Sequence, residues 1–560
     1  MIDFIIPPGL VLIVAGLLLP FLNRSLGNLL LVVAPLAALS LVWNLPDGNV
    51  LTYSYLGFEL VPVRVDDLAR VFATVFTLMA SVGALYASRQ ENTFELASAF
   101  VYAGAALGVL FAGDLITVFV FWEIMAIAST IIIWSGGSGA RAAGQRYAAV
   151  HFLGGVLLMA GIAGEITANG SIAFNPMEAD SWARWLILAG FLINAGAPPF
   201  TAWVADAYPE ASWSGTVFLS AFTTKTAVYV LMRSFPGTEL LIYIGAFMIF
   251  YAIIYALLEN NIRRILAFSI VGQVGFMVIA IGIGTEVALN GAAAHAFVHI
   301  LYKALLLMSA GAVIYQTGKH KCTDLGGLFR TMPITLICGV IGAFSLAAVP
   351  GTSGFITKGL ITQGAVDLKL AWVWFALTAA SASALVYVGL KFPWFVFFSK
   401  DSGLRPAEPP ASMLFAMTIL SAMCLLIGIF PSLLYDMLPY PVEYSPYSTA
   451  KVIFQLQLLL FSGLVFFLTL GLLKPALTQT LDFDWFYRGL GKVLRQAFDA
   501  STLSAWRGLS SGVQALVVTM VAVVYRWTGP GGLFAESWTT GRMAFLTTVL
   551  LGLYLALYFA

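Results

Sequence analysis

Seven ionisable side chains stand inside long apolar runs of this sequence. The stretch AAAHAFVHILYKALLL places His295, His299 and Lys303 at i, i+4 and i+8, a spacing that lines all three along one face of a helix. Glu123 lies in DLITVFVFWEIMAIAST, Lys225 in VFLSAFTTKTAVYVLMR, Lys358 in AAVPGTSGFITKG and Lys391 in VYVGLKFPWFVFF. A charge at the centre of a bilayer costs about 2.5–3.5 kcal/mol on insertion scales. Groups that persist there face a protein interior or a hydrated path, and carboxylate, amine and imidazole together are groups that exchange protons. The chemistry they predict is a proton or ion relay, with no covalent bond made or broken. Blander roles compete. A lysine near a helix end reaches back to the interface, which is the rival reading of Lys391. A histidine pair at i, i+4 suits zinc, but no third ligand accompanies His295 and His299, so no metal is expected. His151 and His320 read as structural or loop residues.

The elements that must hold these groups are membrane spans. Sixty per cent of the 560 residues are hydrophobic and 10% are charged, and the mean hydropathy is +0.92. This is the composition of a polytopic membrane protein. A net charge of +1 argues against nucleic acid as a partner. Cys322, Cys338 and Cys424 are too few and too scattered for a disulfide framework. No cofactor motif or nucleotide loop occurs, so no cofactor is expected. The first apolar run lacks a basic leader and a small-residue cleavage pattern, and reads as a retained span.

Apolar windows of span length predict helices near 3–22, 27–44, 68–88, 95–112, 114–134, 147–167, 184–205, 213–234, 239–258, 264–284, 291–316, 332–361, 371–398, 412–435, 453–473 and 541–560. Loops after odd-numbered spans carry Arg24, Arg89, Arg141, Arg263, Arg264, Lys319 and Lys400, among others. Loops after even-numbered spans carry Asp47, Glu59, Asp180, Glu286 and Asp436. The positive-inside rule makes the odd loops cytoplasmic and places the N-terminus outside, in a multi-pass protein of the cell inner (plasma) membrane.

Two spans carry interruptions. Pro198 and Pro199 fall inside the seventh, and Pro350, Gly351 and Gly354 inside the twelfth. Proline removes a backbone donor and glycine loosens the helix, so both should break near mid-membrane. Paired breaks five spans apart point to a repeated unit with a site at the breaks. The repeats would be spans 4–8 (residues 95–234) and 9–13 (residues 239–398), and an odd number of spans per unit makes them inverted. Residues 1–94 then supply three leading helices, 412–473 two further ones, and 474–560 a distinct tail. In that tail, residues 482–510 mix aromatics with Arg488, Lys492, Arg495 and Arg507, the pattern of an amphipathic helix lying in the interface. The apolar stretch 513–525 is short for a span.

The chain resembles the antiporter-like membrane subunits shared by respiratory complex I, membrane-bound hydrogenases and Mrp-type multisubunit Na+/H+ antiporters, and among them the D-type component of the Mrp antiporters. The resemblance rests on VRVDDLARVF, FWEIMAIAS, WVADAYPEAS, TKTAVYVLMR, NNIRRILAFSIVGQVGF, HAFVHILYKALLLMSAG and PGTSGFITKG, in order across roughly residues 60–400. It implies an all-α fold of about fourteen core transmembrane helices with two inverted five-helix repeats, broken helices 7 and 12, and extra C-terminal helices. It also implies that Glu123 is the span-5 glutamate, Lys225 the span-8 lysine, Lys358 the span-12 ion-pair position, and His295, His299 and Lys303 the stretch that connects them. The sequence departs from the family pattern at the lysine that opens the broken seventh span, where Asn194 stands; this puts the usual Glu–Lys switching pair in doubt.

Three functional readings follow. In the first, the chain moves H+ in a multisubunit cation/proton antiporter, with Na+ exchanged and other membrane subunits as partners. In the second, it is a pumping component of a complex I-like quinone oxidoreductase or a hydrogenase. In the third, it is a non-conducting structural or assembly component, which Asn194 would favour.

Overall fold

The computed structural model describes residues 5–476 and, further along, 482–485, 487–489, 511–512, 514–516, 518–527 and 539–559. The chain forms two units, Met1–Asp484 and Trp485–Ala560. In the first, α1 (Pro8–Leu18) and α2 (Arg24–Asn44) precede a hairpin of β1 (Gly48–Tyr55) and β2 (Phe58–Val65). There follow α3 (Asp67–Tyr86), α4 (Thr93–Phe111), α5 (Leu115–Trp134), α6 (Ala140–Asn169), α7 (Trp182–Ala195), the single turn α8 (Trp203–Ala207), α9 (Gly215–Ala221) and α10 (Thr223–Ser234). The second half contains α11 (Leu240–Leu258), α12 (Ile262–Ile283), α13 (Glu286–Thr317), α14 (Pro333–Leu346), α15 (Ser353–Asp367) and α16 (Ala371–Ala384). Helix α17 (Lys391–Pro393) is flanked by π-helical turns, Leu385–Leu390 and Trp394–Phe398, and α18 (Ala411–Ile429), α19 (Ser432–Tyr435) and α20 (Thr449–Leu468) follow. In the second unit the helix Thr540–Phe559 is apolar along most of its length. The expected amphipathic segment at 482–510 lies largely outside the described residues.

Among the described residues, 13 helices are long and apolar enough to cross a membrane. The sequence predicts three more spans, and these are the short helices Pro8–Phe21, Trp182–Ala195 and Pro333–Leu346. Two of the three are short because their spans are broken where the prolines fall. Helix α7 ends on Gly196 at φ 77°, whose N–H and that of Ala197 return to the Ile193 and Leu192 carbonyls, a left-handed cap that satisfies the last turn. Helix α14 ends on Ala347, with Ala348 at φ 58° and Gly351 at φ 89°. Many of the intact helices start on side-chain caps: Asp66, Asn92, Asp114, Asn261, Thr285 and Ser448 each accept a backbone N–H of the first turn.

The pattern of contacts recurs across the two halves. In the first, α4 packs on α5, α5 on α6, and α6 on α7; in the second, α11 packs on α12, α12 on α13, and α13 on α14 and α15. At the α11–α12 crossing, a Cβ on Gly245 would stand 2.6 Å from the Gly275 carbonyl, and one on Gly275 2.7 Å from the Gly245 carbonyl. Small residues let the two backbones touch where no hydrophobic drive exists between helices in lipid.

The hairpin is the element the span pattern does not predict. Its second strand alternates, with Val61, Val63 and Val65 buried, and its Leu56–Gly57 turn takes positive φ at both residues, the twist-matched two-residue connection. Asp114, buried at the start of α5, accepts the Val61 N–H at 2.8 Å and the Thr117 N–H at 2.7 Å, which ties the hairpin to the helical core.

The break in span 12 depends on a backbone approach that only glycine allows, since a Cβ on Gly354 would stand 1.8 Å from the Ser345 carbonyl oxygen. Gly354→Ala should cost about 1–3 kcal/mol, the usual range for overpacking, seen as a lower unfolding midpoint in detergent. An unchanged midpoint would refute this account of the break.

Candidate functional site

Helix α13 is the axis of the site. Its 32 residues run uninterrupted from the Thr285 cap to Gly318 at φ 66°, and it packs against α3, α9, α10, α12, α14, α15 and α18. His295, His299 and Lys303 are each 0% exposed. A helix enclosed by protein on all sides can carry a polar stripe, because that stripe never meets lipid.

His295 is fully hydrogen-bonded. Its Nδ1 lies 2.9 Å from the Thr357 Oγ1 of α15, and its Nε2 3.1 Å from the Gln273 Oε1 of α12. With that oxygen as acceptor, the imidazole hydrogen sits on Nε2 and Nδ1 accepts from the threonine hydroxyl. Tyr302 donates to the same Gln273 oxygen at 3.3 Å, and the Gln273 amide donates to the Tyr387 hydroxyl at 3.3 Å. One turn along, both nitrogens of His299 are buried without a partner, and its ring lies edge-on to Tyr302 at 5.3 Å. Lys303 donates to the Ser269 hydroxyl of α12.

The other buried lysines hold helix ends. The Lys225 amine donates to the Ser220 carbonyl at 2.6 Å, where α9 gives way to α10 around Phe222, and to Thr224 Oγ1 at 3.1 Å. Lys358 donates to the Leu346 carbonyl at 2.8 Å, at the C-terminal end of broken α14, and lies 4.8 Å from the Phe276 ring centre. Lys391 donates to the carbonyls of Ala256, Leu257 and Glu259 at 2.9, 2.6 and 2.8 Å, at the C-terminal end of α11. The last carbonyls of a helix lack intrahelical donors and carry the negative end of its dipole, so an ammonium there is doubly favoured. None of the ion pairs found among the described residues involves Lys225, Lys303, Lys358 or Lys391.

Lys225, His295, His299, Lys303 and Lys358 form one group: the charges of Lys225, Lys303 and Lys358 act on His299, those of Lys225 and Lys358 on Lys303, and the His295 and His299 ring centres are 6.2 Å apart. Lys391 couples instead to Cys322 and Glu259, so the structure sets it apart from the others. A cavity of about 320 Å3 opens beside Lys358, lined by Thr362, Gln363, Ser381, Tyr444, Lys451 and Gln455 among others. It runs toward the first turn of α20, and its described lining holds no carboxylate. The polar side chains in its otherwise largely apolar lining are groups that water can bridge.

The first half is arranged differently. The Glu123 carboxylate rests on the backbone of α6, where a Cβ on Gly155 would stand 1.9 Å from its Oε1, and that oxygen has no hydrogen-bond partner. Asn194, 0% exposed on the last turn of α7, leaves both its amide oxygen and nitrogen unpartnered. Beyond it, Gly196 to Thr201, including Pro198 and Pro199, carry the chain to α8. There Trp203 donates to the Ile193 carbonyl at 2.9 Å, and Arg146 grips Asp206 through two bonds at 2.6 and 2.7 Å. His151, which the sequence reads as a structural or loop residue, lies buried on α6 between these groups. An ionisable residue in an apolar span was the signal, and a single histidine gave no spacing to strengthen it.

Known proteins resemble this chain in sequence and in fold. The family described as NADH:quinone oxidoreductase/Mrp antiporter, TM, matches residues 112–383. A large K(+)/H(+) antiporter component of Rhizobium meliloti, itself described as probable, is 28% identical over 425 residues, 69% of this chain and 42% of that protein. This chain thus spans less than half the length of that relative. The D-type component of the Na(+)/H(+) antiporter of Alkalihalophilus pseudofirmus is 28% identical over 340 residues, 55% of this chain and 69% of the relative. In fold, the chain is similar to one in the Mrp complex of Dietzia sp. DQ12-45-1b, with a TM-score of 0.77 and 23% identity over 92% of this chain and 62% of that one. Residues 112–383, the region that holds Glu123, both broken spans and the α13 stripe, match the membrane family shared by NADH:quinone oxidoreductases and Mrp antiporters.

Proposed function

We propose that this chain is the proton-translocating component of a multisubunit monovalent cation/proton antiporter that exchanges Na+. Protons move along Lys225, His299, Lys303, His295 and Lys358. The observation that carries the reading is this set of buried basic groups, electrostatically coupled across α10, α13 and α15 and held without a carboxylate partner. An ammonium that rests on carbonyl oxygens gives up its proton without breaking an ion pair. Each proton gained or lost then changes the field at the next group.

Glu123 begins the path and the cavity beside Lys358 ends it. Lys391, on the end of α11, is assigned to stabilising that helix end. The halves act as five-helix repeats, residues 95–234 and 239–398. The chain sits in the plasma membrane with its arginine-rich odd loops on the cytoplasmic side and its N-terminus outside, alongside companion membrane subunits. The family description spans quinone oxidoreductases as well, which favours one further reading: the same relay driven by a redox complex in place of a cation gradient.

Two measurements test these readings. Lys225→Ala and Lys358→Ala should each slow Na+-driven proton movement in everted vesicles by at least about tenfold, the scale of a lost proton-transfer group, with assembly unchanged. Full activity in both variants would sink the relay. Purification in mild detergent should retain only companion membrane proteins. Iron–sulfur or flavin proteins in the same complex would transfer the relay to redox pumping.

A further inference from the structure

Among the polar groups of the first half with buried atoms that hydrogen bonding leaves unanswered, three, on Glu123, His151 and Asn194, are brought together by α6. Tyr147, His151 and the Gly154–Gly155 pair recur at i, i+4 and i+7/i+8, which is one face of the helix. At Gly155 that face meets the Glu123 carboxylate, and at Gly154 a Cβ would lie 3.5 Å from Asn194 Oδ1. One turn back is the His151 imidazole, 1% exposed. Its Nδ1 lies 3.0 Å from the Tyr147 carbonyl. A carbonyl only accepts, so the ring hydrogen sits on Nδ1 and the Nε2 lone pair is left over. That Nε2 is buried and has no partner.

The ring is held rigidly, stacked on Tyr147 at 3.8 Å and edge-on to Trp203 of the span-7 break at 4.5 Å. From Tyr147 a line of hydroxyls leads on. Its phenol is 2.9 Å from Ser129 Oγ and 3.5 Å from Thr223 Oγ1. Thr223 is 2.6 Å from the Tyr102 hydroxyl and lies two residues before Lys225, in the same first turn of α10.

We propose that His151 is a proton-carrying station of the first half, standing between Glu123 and Lys225, in a place where Asn194 offers no titratable group. The proton leaves the Glu123 carboxyl, which becomes carboxylate, and passes through water to the His151 Nε2 lone pair, since neither Glu123 Oε1 nor His151 Nε2 has a protein partner. Nδ1–H stays on the Tyr147 carbonyl. The same proton departs from Nε2 through water and the Ser129–Tyr147–Thr223 hydroxyls to a neutral Lys225 amine, which becomes ammonium, and the ring returns to its neutral form. This role rests on the transport reading above.

The test uses the assembled complex in everted vesicles. His151→Gln keeps the size of the side chain, and His151→Phe keeps its stacking between Tyr147 and Trp203, but neither carries a proton. Both should assemble and slow antiport by at least about tenfold. Adding Asn194→Lys to His151→Gln should restore much of the rate, a rescue that a packing role would not give. Antiport above half the normal rate in either assembled variant overturns the proposal. Failure of both variants to assemble assigns His151 to structure and overturns it as well. Failure of the transport reading looks different, because then the unmodified complex itself moves no protons.

Discussion

The site depends on one constraint: a buried ammonium must find oxygen, and here it finds backbone oxygen. A helix broken inside a membrane leaves carbonyls that lipid cannot satisfy. Lys225 meets the carbonyl at the α9–α10 junction, Lys358 the one at the end of α14, and Lys391 three at the end of α11. Each pairing satisfies two groups that would otherwise be costly to bury. A carboxylate would hold the charge more tightly than these carbonyls do. Helix interruption and buried lysine are therefore two sides of one design, and the glycine at 354 is needed because the chain ends approach closely enough to place such a carbonyl.

Each half mixes satisfied polar groups with unanswered ones, both nitrogens of His299 being among the unanswered in the second. In the second, His295, Gln273, Tyr302, Tyr387 and Thr357 form a connected network with almost every bond made, and a cavity reaches Lys358 from one side. In the first, Glu123, Asn194 and His151 each bury at least one polar atom without a protein partner. A satisfied network fixes geometry, whereas unanswered polar atoms mark places where water or a moving proton completes the bonding. The same helix contacts recur in both halves.

Much of this was legible in the residues. Long apolar windows gave the helices, since lipid requires every backbone group to bond within its own segment. Pro198–Pro199 and Pro350–Gly351 gave the breaks, because proline and glycine act locally. Charges in apolar runs gave the candidate groups, and the i, i+4, i+8 spacing gave the α13 stripe. The hairpin escaped because its alternation is short and lies between spans. The π-helical turns around Lys391 escaped because no residue type requires them.

Residue types and their spacing thus determined that the chain crosses the membrane many times, where two of its helices break and which ionisable groups lie within it, because each of these follows from local chemistry and the hydrocarbon thickness. Only the tertiary structure decided which of those groups belong together. It set Lys391 on the end of α11, away from the coupled five, and it aligned His151 with Glu123 and Asn194 across α5, α6 and α7. Groups from separate helices meet through long-range backbone approach, and no periodicity within a single span encodes that.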